Sequence, residues 1–120
     1  MTRQTRGRTS YHAGLAAEDQ ICADYARRGF PVERRRWRGA GGEIDIILGD
    51  GAGLIFVEVK QSRSFEIAAQ RVSTRQADRI RASAEEYLAT MPHGNLTDIR
   101  IDVALVNGQG EIRIIENAFL

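Results

Sequence analysis

The chain has 120 residues, 28% charged and 42% hydrophobic, with a formal net charge of +1. That length gives one core rather than two, and the charge balance excludes an overall basic field of the kind strong duplex binders carry. With one cysteine, no apolar run near the ~20 residues of a membrane span and no apolar core in "MTRQTRGRTS", the sequence points to a cytoplasmic protein without internal disulfides.

Residues 1–9 read as a flexible basic arm and 10–120 as a single domain. Ser10 as N-cap and Gly29 as the residue past the end bracket a first helix. At about 100° per residue, Tyr11, Leu15, Cys22, Tyr25 and Ala26 share one face, with Glu18 in its middle, an exception to the amphipathic pattern. "FPVERRRW", 30–37, reads as a first strand, with Pro31 where an edge tolerates it. A glycine turn follows. Residues 43–48 and 54–60 make two strands joined by "GDGAG", the second apolar on both faces as a central strand should be. Residues 61–72 read as a loop. Ser73 and Gln76 have capping-box spacing, and a helix follows to about Thr90 with Ala77, Ile80, Ala84, Tyr87 and Leu88 as its buried stripe. Residues 98–106 alternate, Asn107-Gly108 is a turn signal, and 111–115 returns. The expected class is α/β, a mixed central sheet flanked by helices in the order α-β-β-β-α-β-β.

The hairpin carries the chemistry. An Asp50-Gly51 turn makes Asp45 and Glu58 diagonal neighbours, and a Gly51-Ala52 turn sets them directly opposite. Either register leaves both on one face, whereas a three-residue loop would split them. Lys60 shares the face of Glu58 by alternation. Two carboxylates within roughly 5–8 Å each tend to hold a proton, and a divalent cation resolves the conflict. Carboxylate oxygens suit Mg²⁺ or Mn²⁺. With an adjacent ammonium, the set suits hydrolysis of a phosphodiester. Glu18 supplies a third carboxylate on the helix face expected to pack on this sheet.

Each residue also has a plain structural explanation. Acid-x-lysine at a strand end is commonly a solvated ion pair, and Glu18 equally reads as a peripheral glutamate whose stem covers apolar surface. Lysine use favours the site: sixteen arginines accompany one lysine, Lys60, and lysine is a compact charge able to release its proton. Residues 1–40 hold nine arginines against four acids, a surplus of five, so the remainder carries four surplus negative charges. That asymmetry fits either a phosphate-binding edge or a solvated surface.

"GEIDII", "FVEVKQSR" and "RIDVALV" resemble the YraN family, over about 14–119. The resemblance implies a restriction-endonuclease-like, PD-(D/E)xK fold related to Holliday-junction resolvases. It implies a metal-dependent nuclease acting on DNA, branched or otherwise structured. By it Glu18, Asp45 and Glu58 bind the metal, Lys60 assists the attacking water, and Glu43 belongs to the motif without an assigned role. Two cuts by a resolvase imply a homodimer. Where the family opens its second helix with lysine, this chain has Gln76, which reads either as a contact to DNA or the site, or as the cap partner of Ser73. Arg34, Arg35, Arg36 and Arg38 are the remaining candidates for backbone phosphates, in place of a family asparagine. Trp37 reads as a base-stacking ring or as packing, Cys22 as core filler, and His12 and His93 as surface residues. The rivals to a nuclease are a non-catalytic nucleic-acid-binding module of the same fold and a protein–protein adaptor.

Overall fold

Residues 16–119 are described in a computed structural model; the proposed arm at 1–9, the Ser10 cap, Tyr11, His12 and Leu15 lie outside them. Residues 16–27 form helix α1. Strands β1 (Val32–Gly39), β2 (Gly42–Asp50) and β3 (Gly53–Gln61) follow, then helices α2 (Phe65–Gln70) and α3 (Thr74–Leu88), and strands β4 (Ile99–Val106) and β5 (Ile112–Ile115). The five strands lie in chain order in one sheet. Among the described strands only β3 and β4 pair in parallel; their long connection carries α2 and α3, as a parallel pair requires.

Alternation on the central strands sends side chains to two cores. Ile46, Leu48, Ile55, Val57, Ala104 and Val106 pack against Ala17, Ile21 and Tyr25 of α1. Ile47, Leu54, Phe56 and Ile101 meet Ile80, Ala84, Tyr87 and Leu88 of α3 on the opposite face. β3 is therefore covered on both sides, and the stripe expected for α3 is the buried one. The stripe of α1 is displaced from expectation: Ile21 is fully buried and Ala26 is exposed, so Ala17, Ile21 and Tyr25 define the face.

Two segments depart from the sequence reading. Residues 61–72 contain α2, whose first turn is capped by Ser64 Oγ accepting from the Ile67 N–H at 3.2 Å. At six residues it is too short for helical periodicity to show, and it is held by burying Ala68 against Val103 and Leu105. The β4–β5 connection is a five-residue loop, since Val106 pairs with Ile112. Asn107 organises it through its side-chain oxygen, which accepts from the Gln109 and Glu111 amides.

Candidate active site

The β2–β3 turn sets the geometry. Asp50 pairs with Gly53 and Ile46 with Val57, so Gly51 and Ala52 form the turn. Gly51 has φ +59 while Ala52 is not in the left-handed region, the pattern of a type II′ turn with glycine first. Of the two registers compatible with the sequence, this is the one in which Asp45 and Glu58 directly follow the last observed pair, Ile46 with Val57.

A kink then modifies strict alternation. Arg36 has φ +53, unusual for a non-glycine strand residue, and the β1–β2 register places it opposite Asp45. Both strands change face there. Arg35 bonds to α1 while Trp37 packs on Tyr87 of α3; Ile46 belongs to the α1 core while Ile44 belongs to the α3 core. Asp45 sits at the change of face, and its Oδ2 accepts the backbone N–H of Val59 at 2.8 Å. That bond ties β2 to the residue that follows Glu58.

Glu58 is 93% buried, given its 7% exposure. Its Oε1 meets Lys60 Nζ at 3.4 Å and Arg79 Nη2 of α3 at 3.3 Å. Its Oε2 is buried with no hydrogen-bond partner among the described residues, which is costly for a carboxylate oxygen. Asp45 responds to this neighbour. Burial, then the charge of Glu58, raises its pKa from 3.8 to about 7; the Val59 N–H opposes the shift, and Glu18 and Glu43 add to it.

Glu18 reaches this neighbourhood from α1 but is engaged elsewhere. Its Oε2 accepts from Arg35 Nη2 at 3.1 Å and from Arg36 Nε and Nη2 at 3.2 Å. Arg35 also holds Asp19 at 2.7 Å. Among the described residues no group of three or more His, Cys, Asp or Glu stands in a geometry for holding a metal. Asp45 and Glu58 adjoin; Glu18 is the third acid by charge, bound to two guanidiniums. The two that adjoin fit a hard divalent cation. They bring two carboxylates, an orphaned buried oxygen and a raised pKa, and all three strains are relieved by positive charge.

The remaining candidates are distributed as follows. Arg34, Arg35, Arg36 and Arg38 are exposed on β1, at one edge of the sheet, and Arg38 pairs with Glu43 at 3.4 Å. Trp37 is half-buried, its ring 5.3 Å from that of Tyr87 and nearly perpendicular to it, so it packs on α3. Cys22 is half-buried beside the α1 core. His93 is exposed.

Residues 17–106 match the model of the uncharacterised protein family UPF0102. A UPF0102 protein of Ruegeria pomeroyi is 52% identical over 115 residues, 96% of this chain and 94% of that one. One from Cereibacter sphaeroides is 55% identical over 113 residues, covering 94% and 97%, and one from Dinoroseobacter shibae 41% over 115 residues, covering 96% and 86%. The chain belongs to UPF0102. This is the YraN-type family that the hairpin motifs resemble, and the matched span contains Glu18, Asp45, Glu58 and Lys60.

Two residues of this UPF0102 chain were not singled out from sequence. Arg79 stands three residues after Gln76 on α3, a spacing that puts both on one helix face toward the end of β3. Asp102 is fully buried on the α1 side of β4. It accepts from Tyr25 Oη at 2.7 Å, Arg100 Nε at 2.9 Å and Nη2 at 3.0 Å, and the Asn117 N–H at 2.9 Å. The Arg-x-Asp spacing, with both side chains on one strand face, was the available signal.

Proposed function

We infer that this UPF0102 chain is a divalent-metal-dependent phosphodiesterase, an endonuclease-like enzyme acting on DNA. One observation carries the reading: the buried Oε2 of Glu58, without a partner among the described residues, stands beside an Asp45 that burial and Glu58 push to about pKa 7. Lys60 and Arg79 meet the other oxygen of Glu58, and the oxygen they leave supports the reading that a further positive charge binds there. Asp45 and Glu58 would hold Mg²⁺ or Mn²⁺, hard cations suited to carboxylate oxygen. When bound, such a cation supplies a polarised phosphoryl oxygen and a water of lowered pKa.

The chain's own residues do the rest. Val59 N–H fixes the orientation of the Asp45 carboxylate. Lys60, with its side chain only 17% exposed, holds an ammonium beside Glu58, positioned to orient the attacking water and offset developing negative charge. Glu18 stands behind the pair and adds its charge to their field. Exposed Arg34 and Arg38 on the edge strand offer guanidiniums for backbone phosphates, which fix position without reading sequence. Arg35 and Arg36, already engaged with Glu18, serve the fold first. No described helix is long and apolar enough to cross a membrane, and the cytoplasm, with a homodimer making paired cuts, is the setting proposed.

A second reading is favoured by the ion pairs. Glu18 has two guanidiniums and Glu58 has Arg79 and Lys60, so these acids could be a structural network in a binding module or adaptor. Metal titration separates the two. Under the nuclease reading, Mg²⁺ or Mn²⁺ at about 100 times its dissociation constant stabilises the fold by about 2.7 kcal/mol, and Asp45→Asn abolishes the gain. Linear, nicked, flapped and four-way DNAs are then incubated with Mn²⁺, where wild type cuts at least one and Lys60→Ala cuts none. Absence of both the thermal shift and cleavage gives the structural reading the lead.

A further inference from the structure

Among the described residues Lys60 has one long ion pair, 3.4 Å to Glu58 Oε1, and that does not fix an ammonium on a four-carbon stem. A shorter contact lies on its other side. Gln76 is the third residue of α3, and its backbone N–H donates to Ser73 Oγ at 3.2 Å, so the hydroxyl half of the expected capping box is present. Its side-chain amide has two orientations. In one, Oε1 accepts the Ser73 N–H at 3.3 Å. That orientation also sets two donors against each other at Lys60 and two acceptors against each other at the Arg71 carbonyl, at 2.6 Å in each case. The reverse orientation satisfies both: Nε2 donates to Arg71 O and Oε1 accepts from Lys60 Nζ, each at 2.6 Å. Two short bonds, one charge-assisted, outweigh one long neutral bond, so the reverse orientation is the physical one.

We propose that Gln76 is a positioning residue for Lys60, holding its ammonium at the hydrolytic site. The proposal rests on the phosphodiesterase reading and deepens it. Arg71 is the C-cap of α2, so its carbonyl is anchored at a helix end. The amide spans from that carbonyl to Nζ and is held at both ends, which delivers Oε1 to a defined point. From Nζ the line of contacts continues to Glu58 Oε1. The amine is thereby fixed between a neutral acceptor and an acid, with the stem's rotational freedom removed before substrate arrives. A glutamine suits this place because it accepts from the ammonium without adding a carboxylate to an acid-rich site. It also donates to Arg71, which a glutamate could not do.

Lys60 is the chain's one lysine, so ¹⁵N-lysine labelling yields a single side-chain ammonium signal. Its proton exchange with water is measured in the metal-free wild type, Gln76→Met and Ser73→Ala. Gln76→Met preserves length but removes the acceptor, and Ser73→Ala removes the cap but keeps the amide. Exchange should quicken about tenfold in Gln76→Met, the scale of one charge-assisted bond, and stay near wild type in Ser73→Ala. Under Mn²⁺, Gln76→Met should lower kcat by about 10–100-fold with little change in KM. Unchanged exchange in Gln76→Met overturns the proposal, since a mere cap would alter stability alone. Wild-type exchange as fast as that of free lysine overturns it without any variant. Because exchange is read without substrate, a wild type that neither gains stability from Mn²⁺ nor cuts DNA defeats the phosphodiesterase reading, while the exchange rates still decide the Gln76–Lys60 contact.

Discussion

Asp102 and Glu58 are both buried carboxylates on neighbouring central strands, and they are treated in opposite ways. Asp102 faces α1 and accepts from Tyr25, from two nitrogens of Arg100 and from the Asn117 backbone, so that both oxygens are used. Its hold on Tyr25 is mutual: burial and the bond to Asp102 push that phenol's pKa well up. Glu58, on the other face, has one oxygen in long ion pairs, the other without a partner among the described residues, and the charge of Asp45 close by. A satisfied buried acid fastens a fold. A half-satisfied one beside another acid strains it, and strain of that kind is kept where something binds.

The largest effect is expected where the acid is satisfied. Asp102→Ala leaves the Tyr25 hydroxyl, the Asn117 amide and part of Arg100 without their acceptor, and should cost about 3–5 kcal/mol. Urea unfolding measures it, and the loss should be the same with and without Mg²⁺. A loss that divalent cation repairs would place Asp102 in the site and dissolve the contrast.

Asp45→Asn should act in the opposite direction. Its folded pKa, about 7, lies above its ordinary value of 3.8, so the folded chain keeps the proton to higher pH than the unfolded one. The associated stability is complete below about pH 4 and is lost as pH rises through 7. In metal-free buffer at pH 8, asparagine, which retains an acceptor for Val59 N–H, should therefore stabilise the protein by about 2–4 kcal/mol, and at pH 4 by little. Paired urea curves at the two pH values test this. Equal effects at both would mean that Asp45 is an ordinary ionised carboxylate.

Much of this was legible in the sequence, and the part that was not has physical causes. Strands β2–β4 declared themselves as short, largely apolar runs between turn signals, buried on both faces of the sheet, and helix α3 through a buried stripe of period 3.6 over fifteen residues. The type II′ turn was one of two registers that the glycines allowed, and only cross-strand packing chooses between them. Alternation could not foresee the kink at Arg36, because it assumes that a strand keeps its faces, and arginine carries no mark of a left-handed backbone. Asp45 and Glu58 were recognisable as a candidate pair from spacing, given a two-residue turn, which the structure supplies. The embrace of Glu18 by Arg35 and Arg36 was hidden because it depends on that kink, which brings two successive side chains to the α1 side. Gln76 illustrates a further limit: cap spacing is visible in sequence, but the direction of its amide is fixed by Lys60 and Arg71 arriving from elsewhere.

Glu18→Gln gives the smallest effect and the finest distinction. The residue is nearly as buried as Glu58 but, like Asp102, it is held by arginine, so it stands between the two cases. Its arginine partners are about one-third exposed, with side chains at 34% and 37%, so solvent screens the pairs and the cost should be about 1–2 kcal/mol. Glutamine keeps an acceptor for Arg35 or Arg36 and removes one negative charge from the field at Asp45. If the paired role dominates, the thermal shift on adding Mn²⁺ should survive nearly whole, because Asp45 and Glu58 still supply the carboxylates. A shift abolished as fully as by Asp45→Asn would show that Glu18 leaves its guanidiniums to join the ion, and that the metal-free arrangement is a latch rather than the working state.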